Sequence, residues 1–497
     1  MGSVEQQDTS RLGWRTLIIL SCLGLIVMFD ETMILPAIPD FIHNFNISYS
    51  MSSWILASYI IAGAVMTPIA GKLSDIYGKK KMLLIVMAIY AAGIMSGRFS
   101  HSIEIMIAAR AAQGVGMAMF PIAFGIIREV LPAKKLAIGQ TIFSSTFSGG
   151  AVVGLVVGAA IIQNFGWQAT FLSIFPIAIG LWLVILRFVH VKSPAEMEAA
   201  MQAAGMPAVD KTLDIKGIPA LAATVVSFLA GISFLESDSA TAMYQVGGLF
   251  AVSAGSLAAF IAIEKRVRSP LLDLKMMTSK LFLPPVIVLM LVSLSIFMVY
   301  QTIPVMVRSP QPFGFGGDAV ASAGVQLPFM VVLLIGTVMS GFLLNKVGNT
   351  KLLLMGTALS AVGFIMLFAS HSTEGMVSAG LGVIAAGLSL SITGAFNVIL
   401  LSVPMQVTGI ALGMAMLLNL VGMSVGPSLA GVFQQMNRGT VEGIAGTFPT
   451  GDAYNLIFIT AAAVSIVSVV MALSVVRKKF APMMGAGGPH EPGPGAH

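Results

Sequence analysis

Three ionisable side chains lie within long apolar stretches of this sequence, where a charge is costly. Asp30 and Glu31 follow an apolar run that begins near Trp14, and Arg110 stands in a later apolar segment. An ionised side chain in hydrocarbon is unfavourable unless it is paired or hydrated. Counted along their helices, Asp30 and Arg110 reach nearly the same depth. The sequence therefore predicts a contact between these two helices, either a working charge pair or a fixed ion pair that locks the bundle.

A second polar segment joins two apolar stretches and combines glycines with charges. It runs from Gly71 to Lys81 and reads GKLSDIYGKKK. Its glycines permit tight turns and close helix approach, and its aspartate can pair with the basic residues of the same face. Such pairs can break and re-form as helices rock, although the lysines could instead act only as a topology signal. The gating candidates are Gly71, Asp75, Gly78, Lys79, Lys80 and Arg128.

Polar side chains inside otherwise apolar segments are candidates for a substrate cavity. Gln113 follows Arg110 by three positions and so lies on nearly the same helical face. For the other candidates, a hydrogen bond between helices is the simpler interpretation. The candidates are Tyr59, Gln113, Tyr300, Gln301, Gln326, Asn397 and Asn419.

Glycines at a spacing of four mark two expected helix contacts. Gly150, Gly154 and Gly158 share one helical face, which lets a neighbouring backbone approach closely. The pair Gly426-Pro427 stands in a later segment, where proline is expected to kink the helix. We interpret both sets as packing residues, and a role of the second set in coupling stays open.

Membrane-spanning helices must position all of these residues. Of 497 residues, 57% are hydrophobic and 10% are charged, and the mean hydropathy is +0.93. A soluble protein carries about 25% charged residues. The fold class is therefore all-α integral membrane, with fourteen transmembrane helices expected at about 20 apolar residues each. They are predicted at 14–36, 51–71, 82–98, 103–122, 138–162, 169–190, 217–235, 243–263, 281–306, 322–345, 351–370, 376–400, 409–434 and 454–476.

The basic residues between these helices lie almost wholly on one side of the predicted membrane. Of the 27 Lys and Arg residues, 23 fall on one side, only Arg98, Arg308 and Arg438 fall on the other, and Arg110 lies within a span. Because cytoplasmic loops retain positive charge, both termini are predicted to be cytoplasmic. The basic residues do not cluster on a soluble face, so nucleic acid is not expected as a partner.

Two charged stretches, at 190–216 and 264–280, divide the predicted helices into six, two and six. We expect an N-terminal six-helix bundle over 1–190, cytoplasmic linkers with two inserted helices over 191–280, a C-terminal six-helix bundle over 281–480 and a disordered cytoplasmic tail over 481–497. The segment 341–351, GFLLNKVGNTK, repeats the glycine, leucine and lysine positions of the segment 71–81. This repeat fits a transporter built from two related halves.

Four segments match patterns that stand at defined places in a known family. They are GKLSDIYGKKK from Gly71, DETMILPAIP from Asp30, RAAQGVG from Arg110 and EKRVRSPLLD from Glu264. The first resembles the loop between helices 2 and 3 of the major facilitator superfamily, and the others resemble its fourteen-helix drug:proton antiporter branch. One segment departs from the pattern: antiporters carry G-x-x-x-G-P-x-x-G-G in helix 5, whereas this chain has Leu155 at the proline position.

The resemblance implies a function as well as a fold. It implies two six-helix bundles with two inserted helices, acting as a proton-coupled exporter of amphipathic or cationic organic compounds by alternating access. Asp30, Glu31 and Arg110 would then carry the proton coupling, and Asp30 matches the aspartate of the family. The coupling ion is the proton, and no metal or other cofactor is expected. The expected partners are a small-molecule substrate and the lipid bilayer of the cell membrane, and we expect a monomer.

Two alternatives stay open at this point. The chain could export one metabolite, peptide or siderophore. A membrane-embedded enzyme or sensor is less favoured, because the six histidines are scattered without metal-binding spacing and no nucleotide-binding loop is present.

Overall fold

Long helices make up nearly all of the chain that the structure describes. The structure is a computed structural model and describes residues 2–191, 196, 216–236, 242–267, 274–403 and 408–477. The N-terminal half contains α1 Gly2–Met33, α2 Ile38–Phe45, α3 Tyr49–Tyr77, α4 Lys79–Arg98, α5 Ile103–Gly114, α6 Met119–Val130, α7 Ala133–Phe165 and α8 Gln168–Phe188. The predicted tail at 481–497 and most of the first linker lie outside the described residues.

The rest of the described chain continues the helical pattern. Its helices are α9 Gly217–Ser233, α10 Ala242–Glu264, α11 Leu274–Met277, α12 Leu283–Arg308, α13 Ala319–Val347, α14 Asn349–Ala369, α15 Glu374–Leu401, α16 Thr408–Met436 and α17 Gly451–Arg477. We call α12 to α17 the C-terminal half. Short 3-10 turns occupy Leu35–Ala37, Val115–Ala118 and Phe234–Glu236, and two strands, β1 Arg438–Val441 and β2 Ile444–Pro449, precede α17.

A helix stands at each of the fourteen predicted spans, so the all-α membrane fold is confirmed. Within the described ranges, twelve helices are long and apolar enough to cross a membrane. Two further apolar helices, Gly149–Phe165 and Gly217–Ile232, are shorter by the same measure. Fourteen as the number of spans stays a prediction.

The first predicted span differs most from its helix. It was expected at 14–36, whereas α1 begins at Gly2 and the apolar helical segment continues to Phe45. Pro36 lies in the 3-10 turn, and Pro39 lies in the first turn of α2. Proline lacks a backbone N–H and fits the first turn of a helix. The α-helix therefore ends before Pro36, a 3-10 turn follows, and α2 begins at Ile38.

A small hairpin is the one element of β structure in the described chain. β1 and β2 pair antiparallel, and Val441 faces Ile444 across a two-residue turn. Gly443 in that turn has φ +79°, which suits a glycine in a tight hairpin. No strand is predicted here from the sequence, because the segment is short and mixes polar with apolar residues.

Neighbouring helices pack mainly within each half. In the N-terminal half α1 packs along α7, and α5 packs against α3 and α4. In the C-terminal half α12 packs along α16 and α17, and α14 packs along α15. The two halves meet through α3 with α16 and through α7 with α13. Helix α9, which the sequence predicts to be inserted between the bundles, packs against α10 and also contacts both α3 and α16, so it lies beside the boundary between the halves.

Candidate functional site

A buried charge cluster lies inside the N-terminal half. Asp30 and Arg110 are both fully buried, and Nη1 of Arg110 lies 3.6 Å from Oδ2 of Asp30. Asp30 is near the end of α1, and Arg110 is in the third turn of α5. The structure thus brings together the two residues that depth alone had placed side by side. Their role in coupling stays a prediction.

Backbone and amide groups of three helices hold the Arg110 guanidinium. Its Nε donates to the Ile55 carbonyl at 3.3 Å, and Nη1 donates to Oε1 of Gln113 at 2.6 Å. Gln113 in turn donates to the Gly93 carbonyl at 3.1 Å, and the guanidinium carbon lies 4.4 Å from the centre of the Tyr59 ring. Arg110 is therefore held by its own hydrogen bonds, and Asp30 pairs with it by charge at 3.6 Å.

Glycine makes this arrangement possible at one close helix contact. A Cβ at Gly93 would lie 2.7 Å from the Gln113 backbone nitrogen and 2.9 Å from the Ala109 carbonyl oxygen. Any larger residue there would push α4 away from α5. The Gln113 side chain could then no longer reach the Gly93 carbonyl, and the orientation of Arg110 would change.

Several polar atoms of the cluster have unused hydrogen-bonding capacity. Within the described residues, both carboxylate oxygens of Asp30, Nη2 of Arg110 and the hydroxyls of Tyr59 and Tyr90 are buried without a hydrogen-bond partner. Tyr90 is nevertheless close enough to Asp30 to interact with it electrostatically. A buried polar group without a partner costs about 1–3 kcal/mol. Such a cluster lowers the free energy of unfolding. A functional role would explain why it is present.

Glu31 lies beside this cluster and points towards the other half of the molecule. Its side chain keeps 7% exposure, whereas Asp30 and Arg110 have none. Glu31 interacts electrostatically with Tyr59 on α3 and with Tyr300 on α12. Successive helical residues point about 100° apart, so adjacent acids on α1 can face different neighbours. Asp30 faces the interior of its own half, and Glu31 faces the boundary between the halves.

The glycine face of α7 holds α1 at the level of these acids. Gly154 lies so close to α1 that a Cβ would fall 2.5 Å from the Phe29 carbonyl oxygen, and Gly158 would meet the Met33 Cα at 2.6 Å. The Thr32 hydroxyl donates to the Ala151 carbonyl at 2.9 Å. Leu155, at the proline position of the antiporter pattern, is fully buried within a continuous α7. The packing interpretation of these glycines therefore agrees with the contacts seen.

The Gly426-Pro427 pair occupies the corresponding place in the C-terminal half. A Cβ at Gly426 would meet the Leu294 carbonyl oxygen at 2.5 Å and the Met298 nitrogen at 2.9 Å, both on α12. Pro427 follows inside α16. The contact between α12 and α16 thus resembles that between α1 and α7, with the proline present only in the C-terminal half.

The gating segment is held by partners that sequence reasoning missed. Lys79 forms an ion pair with Glu129 at the end of α6, and Nζ of Lys80 donates to the Leu186 carbonyl at 2.8 Å. Gly78 joins α3 to α4 with φ +98°, a conformation that other residues rarely adopt. The side chain of Asp75, the expected partner of the lysines, lies outside the described part of the chain.

The remaining gating candidates make fewer contacts. Arg128 is exposed in the last turn of α6. Gly71 has open space around its Cα, so no close contact requires a glycine at this position.

The cavity candidates separate into three groups. Gln113 belongs to the charge cluster, and Tyr59 and Tyr300 lie near Glu31. The Tyr300 ring stands between Phe297 and Phe329, with centroid distances of 5.5 and 6.0 Å. The amides of the other candidates form hydrogen bonds within or between helices: Gln301 with Ser52, Gln326 with Ser322, Asn397 with Thr393 and Asn419 with Ser293. Among the described residues, the Oε1 atoms of Gln301 and Gln326 are buried without a partner.

The predicted outer ends of the two halves are joined by a charge pair that sequence reasoning did not single out. Both terminal nitrogens of Arg308, at the end of α12, donate to the carboxylate of Asp40 on α2 at 2.6 Å. Nη1 of Arg308 also donates to the Pro36 carbonyl at 2.8 Å. We call this pair the outer clamp. One feature of the sequence could have drawn attention to Arg308: it is one of only three basic residues predicted on the outer side.

Further polar contacts join the halves at the same end. The Tyr49 backbone N–H donates to Oε1 of Gln435 at 3.1 Å, and its hydroxyl donates to the Thr447 carbonyl of β2 at 3.1 Å. Nε2 of Gln301 donates to the Ser52 hydroxyl at 3.2 Å. Together with the outer clamp, these contacts close the predicted outer side.

Comparison with known proteins is consistent with this architecture. The family model described as Major Facilitator Superfamily matches residues 20–427. The chain is 25% identical to the multidrug transporter protein MdtP of Bacillus subtilis, over 77% of this chain and 70% of that protein. It is 26% identical to the tetracenomycin C resistance and export protein of Streptomyces glaucescens, over 86% and 77% of the two chains. It is 27% identical to the multidrug efflux pump LfrA of Mycolicibacterium smegmatis, over 90% and 86%.

Solved structures agree in fold at low sequence identity. The xylose transporter XylE from E. coli superposes with a TM-score of 0.60 at 14% identity, covering 94% of this chain and 98% of that one. An auto-inhibited POT family peptide transporter superposes with a TM-score of 0.61 at 14% identity, covering 95% and 99%.

Proposed function

This chain belongs to the Major Facilitator Superfamily and is a transporter, and we propose that it exports amphipathic or cationic organic compounds in exchange for protons. Its relatives in Bacillus, Streptomyces and Mycolicibacterium carry names that describe multidrug transport, export or efflux. We assign it to the fourteen-helix antiporter branch, because α9 and α10 stand between the two halves.

The observation that carries the proton assignment is the composition of the buried charge cluster. Asp30 pairs with the guanidinium of Arg110, and the neighbouring Glu31 also interacts with it electrostatically, so two buried carboxylates depend on one guanidinium. If both acids are ionised, the cluster has one uncompensated negative charge in a medium that disfavours it. A proton or a cationic substrate can supply the missing positive charge. Competition between the two for the same cluster would couple substrate export to proton entry.

Coupling also requires that proton affinity differ between conformations. Desolvation in general favours the neutral acid, and a nearby cation favours the ionised acid. Asp30 and Arg110 belong to the same half, whereas Glu31 faces Tyr300 of the opposite half. Rocking of the halves would change the surroundings of Glu31, and because Glu31 interacts with both Asp30 and Arg110, that change would shift the proton affinity of Asp30. We therefore propose that Asp30 carries the proton with Arg110, and that Glu31 senses substrate and conformation.

Alternating access is supported by the contacts between the halves. The outer clamp and the Tyr49 contacts close one end, and these bonds would have to break for a site at the cluster to open there. We propose that this closed end faces the outside of the cell membrane and that both termini are cytoplasmic. The lysines of the gating segment would then lie at the cytoplasmic end, where the Lys79–Glu129 pair joins α4 to α6.

The decisive experiment uses the protein reconstituted in proteoliposomes with an imposed pH gradient. The wild type is expected to move ethidium, an organic cation, against its gradient. Asp30→Asn should abolish gradient-driven transport while still allowing downhill exchange. Glu31→Gln should reduce transport of ethidium more than that of a neutral compound of similar size.

Two outcomes would contradict the proposal. Wild-type pH dependence in Asp30→Asn would place the proton site elsewhere. A wild type that moves none of a panel of cationic, neutral and anionic compounds would favour the narrower alternative, an exporter of one metabolite, peptide or siderophore.

A further inference from the structure

A groove at the cytoplasmic ends of α1 and α8 is independent of the charge cluster. It has a volume of about 520 Å³. It is lined by Trp14, Arg15, Ile18, Ile19, Val184 and Phe188. Five of these six side chains are apolar or aromatic, and Arg15 is the charged one. An apolar groove with a tryptophan at a predicted membrane surface has the composition of a lipid contact.

Arg15 lines this groove, and two further basic residues lie close to its Phe188 end. The Arg15 guanidinium carbon lies 4.3 Å from the centre of the Phe188 ring, and that of Arg187 lies 5.8 Å from the same ring. Nζ of Lys80 donates to the carbonyl of Leu186, the preceding residue. Three cations from three helices, Arg15 of α1, Lys80 of α4 and Arg187 of α8, therefore lie around the last turn of α8.

The C-terminus of α8 does not by itself explain why these three basic residues lie here. A helix C-terminus attracts cations, which explains Lys80 at the Leu186 carbonyl. The guanidiniums of Arg15 and Arg187 instead lie near the Phe188 ring. Within the described part of the chain, neither arginine has a carboxylate partner. Each guanidinium carries five N–H donors in a fork that fits phosphate oxygens.

We propose that this groove binds an anionic phospholipid of the cytoplasmic leaflet. The phosphate lies between Arg15 and Arg187, and an acyl chain lies along Ile18, Ile19 and Val184. Basic pockets between transmembrane helices are the known form of such sites. The bound lipid would join α1, the helix that carries Asp30, to α8 and so stabilise the N-terminal half.

The test measures lipid binding and thermal stability and needs no transport substrate. Purified full-length protein in detergent is titrated with phosphatidylglycerol or phosphatidylcholine, and bound lipid is counted by native mass spectrometry. Phosphatidylglycerol should bind more tightly and raise the unfolding temperature. Arg15→Gln should weaken that binding about fivefold, the effect of one basic residue at a membrane surface. Arg266→Gln, an exposed basic residue after α10, is the matched control.

A second variant tests the apolar part of the groove. Ile18 is 62% exposed, so Ile18→Trp can fill the groove without disturbing the core, and it should reduce binding of phosphatidylglycerol although every cation is kept. Equal binding of the two lipids by the wild type would overturn the proposal. So would equal losses in Arg15→Gln and Arg266→Gln, or unchanged binding in Ile18→Trp.

Discussion

The outer clamp offers a direct measure of how strongly one charge pair holds the transporter closed. Arg308 and Asp40 form two hydrogen bonds at 2.6 Å, and their side chains are 20% and 26% exposed. Hydrogen bonds between charged groups contribute about 1.5–3 kcal/mol, whereas exposed ion pairs contribute about 0.2–1 kcal/mol. A half-buried, two-bond pair should lie between these limits, at about 1–2 kcal/mol. Its loss should raise the ratio of outward-open to outward-closed molecules about 5- to 30-fold.

Ser52 is a suitable reporter of this opening. It is fully buried at the joined end and accepts a hydrogen bond from Gln301 of the other half. In a Cys22→Ser background, Ser52→Cys would react with an impermeant thiol reagent only when the outer side opens. Asp40→Asn should then raise the labelling rate about 5- to 30-fold, and Arg308→Gln should act similarly.

The controls separate the clamp from a general loss of charge. Asp452→Asn removes an exposed acid from the first turn of α17 and should leave the labelling rate unchanged. Because Asp40 and Arg308 act as one pair, combining their substitutions should have less than the summed effect of the two. A labelling rate in Asp40→Asn equal to that in Asp452→Asn would refute the reasoning.

Two further predictions concern packing and orientation. Gly154→Ala should lower stability by about 1–3 kcal/mol, because its Cβ would meet the α1 backbone, whereas Gly180→Ala, which has open space, should be neutral or slightly stabilising in the same thermal unfolding assay. An equal response of the two glycines would contradict the close contact of α1 with α7. In sealed cells, Thr440→Cys in β1 should be labelled by an impermeant reagent and Arg266→Cys should not, whereas the reverse pattern would invert the proposed orientation.

Features that depend on one helix at a time could be predicted from the sequence. Apolar length located the helices, and depth along two helices placed Asp30 beside Arg110. Spacing of four placed Gly150, Gly154 and Gly158 on one face, and that face packs on α1. In each case a local periodicity or length carries the information, so no knowledge of distant packing was needed.

Features that depend on how helices from different parts of the chain meet could not be predicted. The Lys79–Glu129 pair joins the first residue of α4 to the end of α6, 50 positions later in the chain. The sequence alone suggested Asp75, which is much nearer in the chain, as the partner of the lysines. The outer clamp requires the two halves to meet at one end, which is a property of the conformation and not of either helix. The division of α1 at Pro36 was missed because apolar composition continues across it.

The position of the charge cluster in the chain also has a consequence for biosynthesis. Asp30 and Glu31 are made about 80 residues before Arg110, their one basic neighbour in the cluster. At about 5–20 residues per second, the ribosome needs roughly 4–16 s to supply it. During that interval each ionised acid costs about 2.5–3.5 kcal/mol at the centre of the bilayer. We therefore expect the nascent first helix to rely on the leucines and isoleucines that precede its acids until the fourth span supplies Arg110.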